Sequence, residues 1–235
     1  MLQRWPKSAE TVEATRALAR CEHYLATAVQ ARSLTASLSP THVYTVNNNI
    51  FTAVSTLLDT ELGTFESKKP MIIGSMAKKS GVSTTAAARH LENCCTLGSE
   101  AHKQIEAFFT NPDENAVPPF FAKFFTTHLQ SRFRLVGAEV RVYNEKTKVA
   151  GTIDLVVAPI GQATGEDCVL EVVIFDWKYT KGHSKSERYE KQLQSYAEPL
   201  EGVTGVEVTA MYNVFLHQED QIYYVRAVPA RIEKQ

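Results

Sequence analysis

Ala150-Gly151-Thr152-Ile153-Asp154-Leu155-Val156-Val157 and Val173-Ile174-Phe175-Asp176-Trp177-Lys178-Tyr179-Thr180 decide how this chain reads. Each is rich in β-branched or aromatic residues, as a buried strand is, and each delivers one acid. Asp176 and Lys178 stand two apart, so a strand presents both on one face. If the Asp154 strand pairs beside it, two carboxylates and an ammonium meet in one pocket. Hard cations such as Mg²⁺ select carboxylate oxygens, and metal-assisted phosphodiester cleavage uses that arrangement. The bland alternative is an exposed cross-strand charge pair. Acid-x-lysine triplets also arise by chance: Glu66-Ser67-Lys68 is another, in a polar stretch with no strand around it. The surrounding pattern has to decide.

Downstream of Gly137 the pattern is β: a strand over Ala138–Tyr143, a turn over Asn144–Lys148, and a hairpin partner over Val149–Ala158. The loop Pro159–Asp167 leads to a strand over Cys168–Lys178, and the polar loop Tyr179–Ser186 to a helix over Glu187–Leu200. Strands over Val206–Leu216 and Gln221–Val228 follow, joined by a turn at His217–Asp220.

Upstream the spacing is helical. It predicts a helix from Ala9 to Leu34, a connector over Ser37–Tyr44 containing Pro40, and a helix over Val46–Leu58. Thr60–Ser83 reads as a looser segment, with Gly63, Pro70, Gly74 and Gly81 and the lysines Lys68, Lys69, Lys78 and Lys79. Helices follow over Thr84–Asn93 and Gly98–Phe109, the second stopped by Asn111-Pro112. Pro118-Pro119 opens another, whose Phe120, Phe121, Phe124, Phe125 and Leu129 share a face. Such a stripe is a core signature rather than a base-stacking platform. The expected architecture is α/β, with an N-terminal helical region (1–84) packed on a core (85–235), together one structural domain.

With 235 residues, 44% of them hydrophobic, the chain can bury a substantial core. A net charge of −1 and a pI of about 6.7 advertise no global field for nucleic acid, though a local basic groove stays compatible. Cys21, Cys94, Cys95 and Cys168 show no C-x-x-C spacing, which argues against a zinc knuckle and for a reducing intracellular compartment: cytoplasm, nucleus or mitochondrion. No apolar run reaches a membrane span, so no membrane association is expected. Met1–Trp5 lacks the apolar core of a secretory signal. Arg4, Arg16, Arg20 and Arg32 fit a mitochondrial presequence less well because Glu10, Glu13 and Glu22 accompany them.

Four blocks in order carry a resemblance: Gly98-Ser99-Glu100-Ala101-His102-Lys103-Gln104-Ile105-Glu106, Gly151-Thr152-Ile153-Asp154, Asp176-Trp177-Lys178 and Gln192-Leu193-Gln194-Ser195-Tyr196. They match G-x-x-x-H-x-x-x-E, G-x-[ILV]-D, D-x-K and Q-x-x-x-Y, and so resemble the RecB-like branch of the PD-(D/E)XK nucleases. Phe175–Thr180 with Leu97-Gly98 looks most like the mitochondrial genome-maintenance and phage-type exonucleases. The resemblance spans roughly residues 85 to 216. It implies a restriction-endonuclease-like core, a central mixed sheet flanked by helices.

The resemblance implies that Asp154 and Asp176 hold Mg²⁺ or Mn²⁺, with the Trp177 carbonyl and His102 as further ligands and Lys178 acting on the attacking water. His102 and Glu106, at i and i+4, share a helical face; Glu106 is implied as a more remote or second-metal group. Glu139 matches an acid often found on the preceding strand. Gln192 and Tyr196, also at i and i+4, would cover the site, although Tyr196 equally fits an ordinary buried aromatic. The basic residues after the strand, Lys181, Lys185, Arg188 and Lys191, are candidates for gripping DNA phosphates. No cysteine follows Cys168, so the iron–sulfur cluster of some relatives is not expected.

The implied activity is Mg²⁺/Mn²⁺-dependent hydrolysis of DNA by an exonuclease acting on single-stranded or end-containing substrate. A flap or branch endonuclease and a catalytically inactive DNA- or protein-binding module stay open. No helicase motif is present, so a helicase, replication or recombination partner would be a separate chain.

Overall fold

The computed structural model describes residues 35–37, 43–46, 48–112, 114–160, 171–179, 187–217 and 222–229. Within them an eight-stranded mixed sheet contains β1 (Thr35–Ser37), β2 (Val43–Val46), β3 (Asn49–Ala53), β4 (Phe133–Asn144), β5 (Val149–Pro159), β6 (Glu171–Tyr179), β7 (Glu207–His217) and β8 (Ile222–Val228). The helices are α1 (Val54–Leu62), α2 (Phe65–Ser80), α3 (Thr84–Thr110), α4 (Pro119–Phe124), continued by a π-helical turn over Phe125–Leu129, and α5 (Glu187–Thr204). The chain is α/β, with a mixed central sheet flanked by helices.

Two apolar layers sandwich the sheet. Strand β6 is buried on both faces, which is why it reads as one continuous apolar run. Val172 and Ile174 face one layer with Val54 and Leu58 of α1 and Leu193, Ala197 and Leu200 of α5. Val173, Phe175 and Trp177 face the other with Ile105 and Phe108 of α3 and the phenylalanines of α4. Phe121 and Phe124 are fully buried there, edge-on to Trp177 at centroid distances of 5.2 and 5.8 Å. The phenylalanine stripe is core.

Pairing leaves a gap in the middle of the sheet. Strand β4 covers one edge of β5 from Val149 to Pro159. The other edge of β5 meets β6 over Leu155–Val157 and, in parallel, β3 at Val149 and Ala150. Among the described strands, nothing pairs with Gly151–Asp154 on that second edge. Past Phe175, β6 stays hydrogen-bonded to β7 out to Tyr179 and parts from β5. The resulting fork opens where both acids lie.

Several elements depart from the sequence expectations. Asn49–Ala53 is a strand and the helix begins at Val54, so a helix over Val46–Leu58 is wrong for its first half; Ser37, Val43 and Tyr44, expected in the connector, belong to β1 and β2. Asn48, at φ 64°, occupies the left-handed region that asparagine tolerates, a turn signal within the Asn47-Asn48-Asn49 run. The looser segment Thr60–Ser83 is mostly the helix α2, with Pro70 and Gly74 inside it and Gly63 and Gly81 beyond its ends: Thr64 accepts from the Ser67 amide at 3.0 Å, and Gly81 closes the other end at φ 66°. The two helices expected over Thr84–Phe109 are one continuous α3 of 27 residues. The described part of residues 1–84 thus contributes three strands as well as helices. The helix expected over Ala9–Leu34 lies outside the described residues.

Candidate functional site

Where β5 and β6 part, the side chain of Asp154 replaces the missing ladder partner. Its Oδ2 accepts a hydrogen bond from the Trp177 amide at 2.7 Å. The carbonyl of the same Trp177 is 3.1 Å from Nε2 of His102, which α3 delivers across the fork, and His102 Nδ1 is 3.6 Å from Asp154 Oδ2. Donating from Nε2 while turning Nδ1 to a carboxylate is the pattern of a protonated ring. Burial alone would lower the His102 pKa, but the hydrogen bond and charge of Asp154, with the charge of Asp176, outweigh it and leave the pKa above its ordinary value.

Glu139 completes a second side of the fork. It lies on β4 between the pairs Ala138–Leu155 and Val140–Ile153, opposite Asp154, with a left-handed φ of 50°. For a non-glycine residue this is strain, of a kind that clusters at functional sites. One ligand-capable atom each from His102, Glu139 and Asp154 lie within 4.8 Å of one another. Burial, then the charges of Asp154 and Glu106, push the Glu139 pKa up to about 7. Carboxylates placed this close to each other disfavour ionisation unless a cation joins them.

Asp176 and Lys178 emerge on the opposite side of β6 from Trp177, under α5. They form an ion pair, with the Asp176 side chain only 3% and the Lys178 side chain 14% exposed. Burial holds the Asp176 pKa above the usual carboxylate range, with Lys178 opposing and Asp154 adding to the shift. Helix α5 is the roof. Gln192 Oε1 accepts from Lys178 Nζ at 3.0 Å, and Gln192 Nε2 donates to the Tyr196 hydroxyl at 3.0 Å. This two-bond relay fixes the ammonium. Burial and the charge of Asp176 raise the Tyr196 pKa, so its phenol stays protonated.

Gly151 belongs to the same packing. A Cβ there would fall inside van der Waals distance of the Tyr196 ring, 3.2 Å from Cδ1 and closer still to Cε1. Gly98 has a related role, since its Cβ would sit 3.4 Å from that of Tyr179, at the end of β6. Each glycine lets a helix approach a strand that carries one of the acids, α5 at β5 and α3 at β6.

The fork therefore gathers His102, Glu139 and Asp154 into one tight group beside Trp177, while Asp176, Lys178, Gln192 and Tyr196 form a second set under α5, with Asp176 joined to the first through charge. Glu106 is exposed one helical turn beyond His102 and contributes charge near Glu139 rather than a place in the tight group. Arg188 and Lys191 face α1: Arg188 Nη2 is 2.7 Å from Asp59 Oδ1, and Lys191 Nζ is 3.6 Å from Glu61 and 3.2 Å from Glu187. Lys181 and Lys185 lie outside the described residues.

Three neighbours of the site were not singled out from sequence. The Tyr189 ring centroid is 4.7 Å from Lys178 Nζ, a cation–π contact. Its spacing of three residues before Gln192 and seven before Tyr196 was a readable helical stripe. Tyr44 of β2 bonds Thr152 Oγ1 at 3.1 Å, and nothing local in the sequence announces that long-range pair. Asn213 interrupts the apolar run of β7, which was a signal.

No protein-family model and no curated protein sequence matches the chain. No helix among the described residues is long and apolar enough to cross a membrane.

Proposed function

We propose that this chain is a metal-dependent DNA nuclease with the restriction-endonuclease-like core of the PD-(D/E)XK superfamily, RecB-like branch, acting as an exonuclease on single-stranded or end-containing DNA. The observation that carries the reading is the convergence, at one break in the sheet, of an imidazole and carboxylates with a buried lysine. A scaffold has no need for such a cluster, because burying clustered carboxylates costs stability.

The donor set fits a divalent cation. Carboxylate oxygens of Asp154, Asp176 and Glu139, the Trp177 carbonyl and a neutral His102 ring would hold Mg²⁺ or Mn²⁺, and the imidazole favours Mn²⁺ of the two. The raised pKa values of His102 and Glu139, the latter about 7, mean that loading the site displaces protons. The bound ion would supply charge neutralisation at the scissile phosphate and acidify water.

The remaining roles belong to the protein. Lys178 exchanges its contact with Asp176 for the phosphate, orients the attacking water and offsets charge that grows on the phosphoryl oxygens. Gln192 and Tyr189 hold that ammonium beside Asp176 until the exchange. Tyr196, packed against Gly151, anchors Gln192. The apolar layers beneath exclude bulk water, so each charge acts at low dielectric.

The test is cleavage of end-labelled single-stranded DNA with Mg²⁺ or Mn²⁺ by the wild type and by Asp176→Ala and Lys178→Ala. Mutants as active as the wild type would overturn the assignment. A closed circular single strand discriminates the mode: an exonuclease leaves it intact, whereas a flap or branch endonuclease needs no end.

A further inference from the structure

Asn213 sits in β7 directly beside Asp176 in the parallel ladder, on the face under α5. It is 1% exposed, and among the described residues neither its Oδ1 nor its Nδ2 has a hydrogen-bond partner. A buried amide without partners is costly, because it gives up its bonds to water and gains none. Its surroundings are also polar on both sides. Asp176 adjoins it on β6, and Arg226, its register partner on β8, pairs with Glu190 of α5. An apolar residue would fill this position at lower cost, as Met211 and Phe215 do two residues either way.

We propose that Asn213 is a positioning residue for Asp176. In the resting site Lys178 pairs with the carboxylate. When Lys178 turns to a phosphate, the buried carboxylate loses its partner, and the adjacent amide supplies a replacement N–H. Neighbouring strands lie about 4.8 Å apart, so a change of side-chain rotamer suffices to make the bond. Asn213 is thus the donor that keeps Asp176 aimed into the fork through the turnover.

The inference rests on the nuclease reading only for its catalytic half. The isosteric pair Asn213→Val and Asn213→Thr separates shape from hydrogen bonding, since threonine keeps a hydroxyl donor where valine has a methyl. Calorimetric Mn²⁺ titration and single-turnover cleavage are measured for both. Asn213→Val is expected to weaken Mn²⁺ binding about tenfold and slow cleavage by a similar factor, while melting no lower than wild type; Asn213→Thr recovers most of both. Valine and threonine variants that both match the wild type would overturn the proposal.

A metal-free measurement stands apart from the nuclease reading. In protein labelled with ¹⁵N-asparagine at pH 7.5, Lys178→Met is expected to move the Asn213 side-chain amide protons downfield as they bond Asp176. An unmoved resonance overturns the proposal even if the enzyme cleaves DNA. If wild type neither binds Mn²⁺ nor cuts DNA, the functional reading fails while this shift still decides the role of Asn213.

Discussion

Glu66-Ser67-Lys68 and Asp176-Trp177-Lys178 are both acid-x-lysine triplets, and the molecule treats them oppositely. The first lies on α2, where residues two apart project to opposite sides of the helix. Lys68 Nζ therefore reaches back to the Leu62 carbonyl at 2.6 Å, while Glu66, with its side chain 74% exposed, pairs loosely with Lys69 at 3.5 Å. Water carries those charges. The second lies on β6, whose period of two points both side chains under α5, and there the ammonium and carboxylate have each other in place of water. The difference is period and cover, not composition. Chemistry becomes available only where the backbone repeat aligns the charges and a second layer removes solvent.

The sharpest way to break this contrast is to remove each lysine. Lys178→Ala should lower the cleavage rate by about 10²–10³-fold, the worth of one preorganised donor at a developing phosphoryl charge. Lys68→Ala should leave it unchanged. A comparable loss from both, in the labelled-DNA assay, would mean that the triplet on β6 has no special standing.

Stability separates the two regions next. Lys178→Met leaves the Asp176 carboxylate buried without its cation, with only a neutral amide to turn to, which should cost about 3 kcal/mol at pH 8 by urea denaturation. The cost should shrink at pH 5, where the raised pKa of Asp176 lets it take up a proton instead. Lys69→Ala breaks only a solvated pair and should change stability by no more than about 0.5 kcal/mol.

The pH dependence of the metal-free protein follows from Glu139. Its folded pKa, about 7, is above the ordinary 4.5, so between those values the native state holds more protons than the unfolded chain. Stability from this group is present at low pH and is lost as pH rises through 7. The melting temperature of metal-free protein should fall from pH 5 to pH 8, Glu139→Gln should flatten the slope, and Mn²⁺ should restore more at pH 8 than at pH 5. A slope unaffected by Glu139→Gln would dismiss this carboxyl as its source.

The same contrast explains what could be read from the sequence. The order of strands and helix after Gly137 was legible because buried strands and an amphipathic α5 have distinct periods. Asp154, Asp176 and Lys178 were legible for the same reason, whereas His102, Gln192 and Tyr196 were singled out by the resemblance of their blocks to the RecB-like nucleases. Strands β2 and β3 were not: Val46-Asn47-Asn48-Asn49-Ile50-Phe51 is too short for its period to speak, and β3 joins the central sheet only through Thr52 and Ala53, whose partners Val149 and Ala150 are distant in sequence. Helix α2 was obscured because Pro70 and Gly74 sit inside it while Gly63 and Gly81 end it. The ion pairs that engage Arg188 and Lys191 depend on α1, which a reading along α5 alone does not see.

Glycine tests the contrast on its smallest scale. Gly151→Ala should cost about 1–3 kcal/mol, because the new methyl meets the Tyr196 ring and must push α5 away from β5. The Gln192–Lys178 relay hangs on that ring, so activity should fall further than stability does. Gly74, by contrast, lies on an exposed face of α2, and a Cβ there meets nothing within 4 Å. Gly74→Ala should therefore stabilise the protein by about 0.5–1 kcal/mol through helix propensity alone, with cleavage unchanged. One substitution, made in a solvated helix and in a covered fork, should move stability in opposite directions; thermal melts that move together would show that the two regions are not packed as differently as their acid-x-lysine triplets imply.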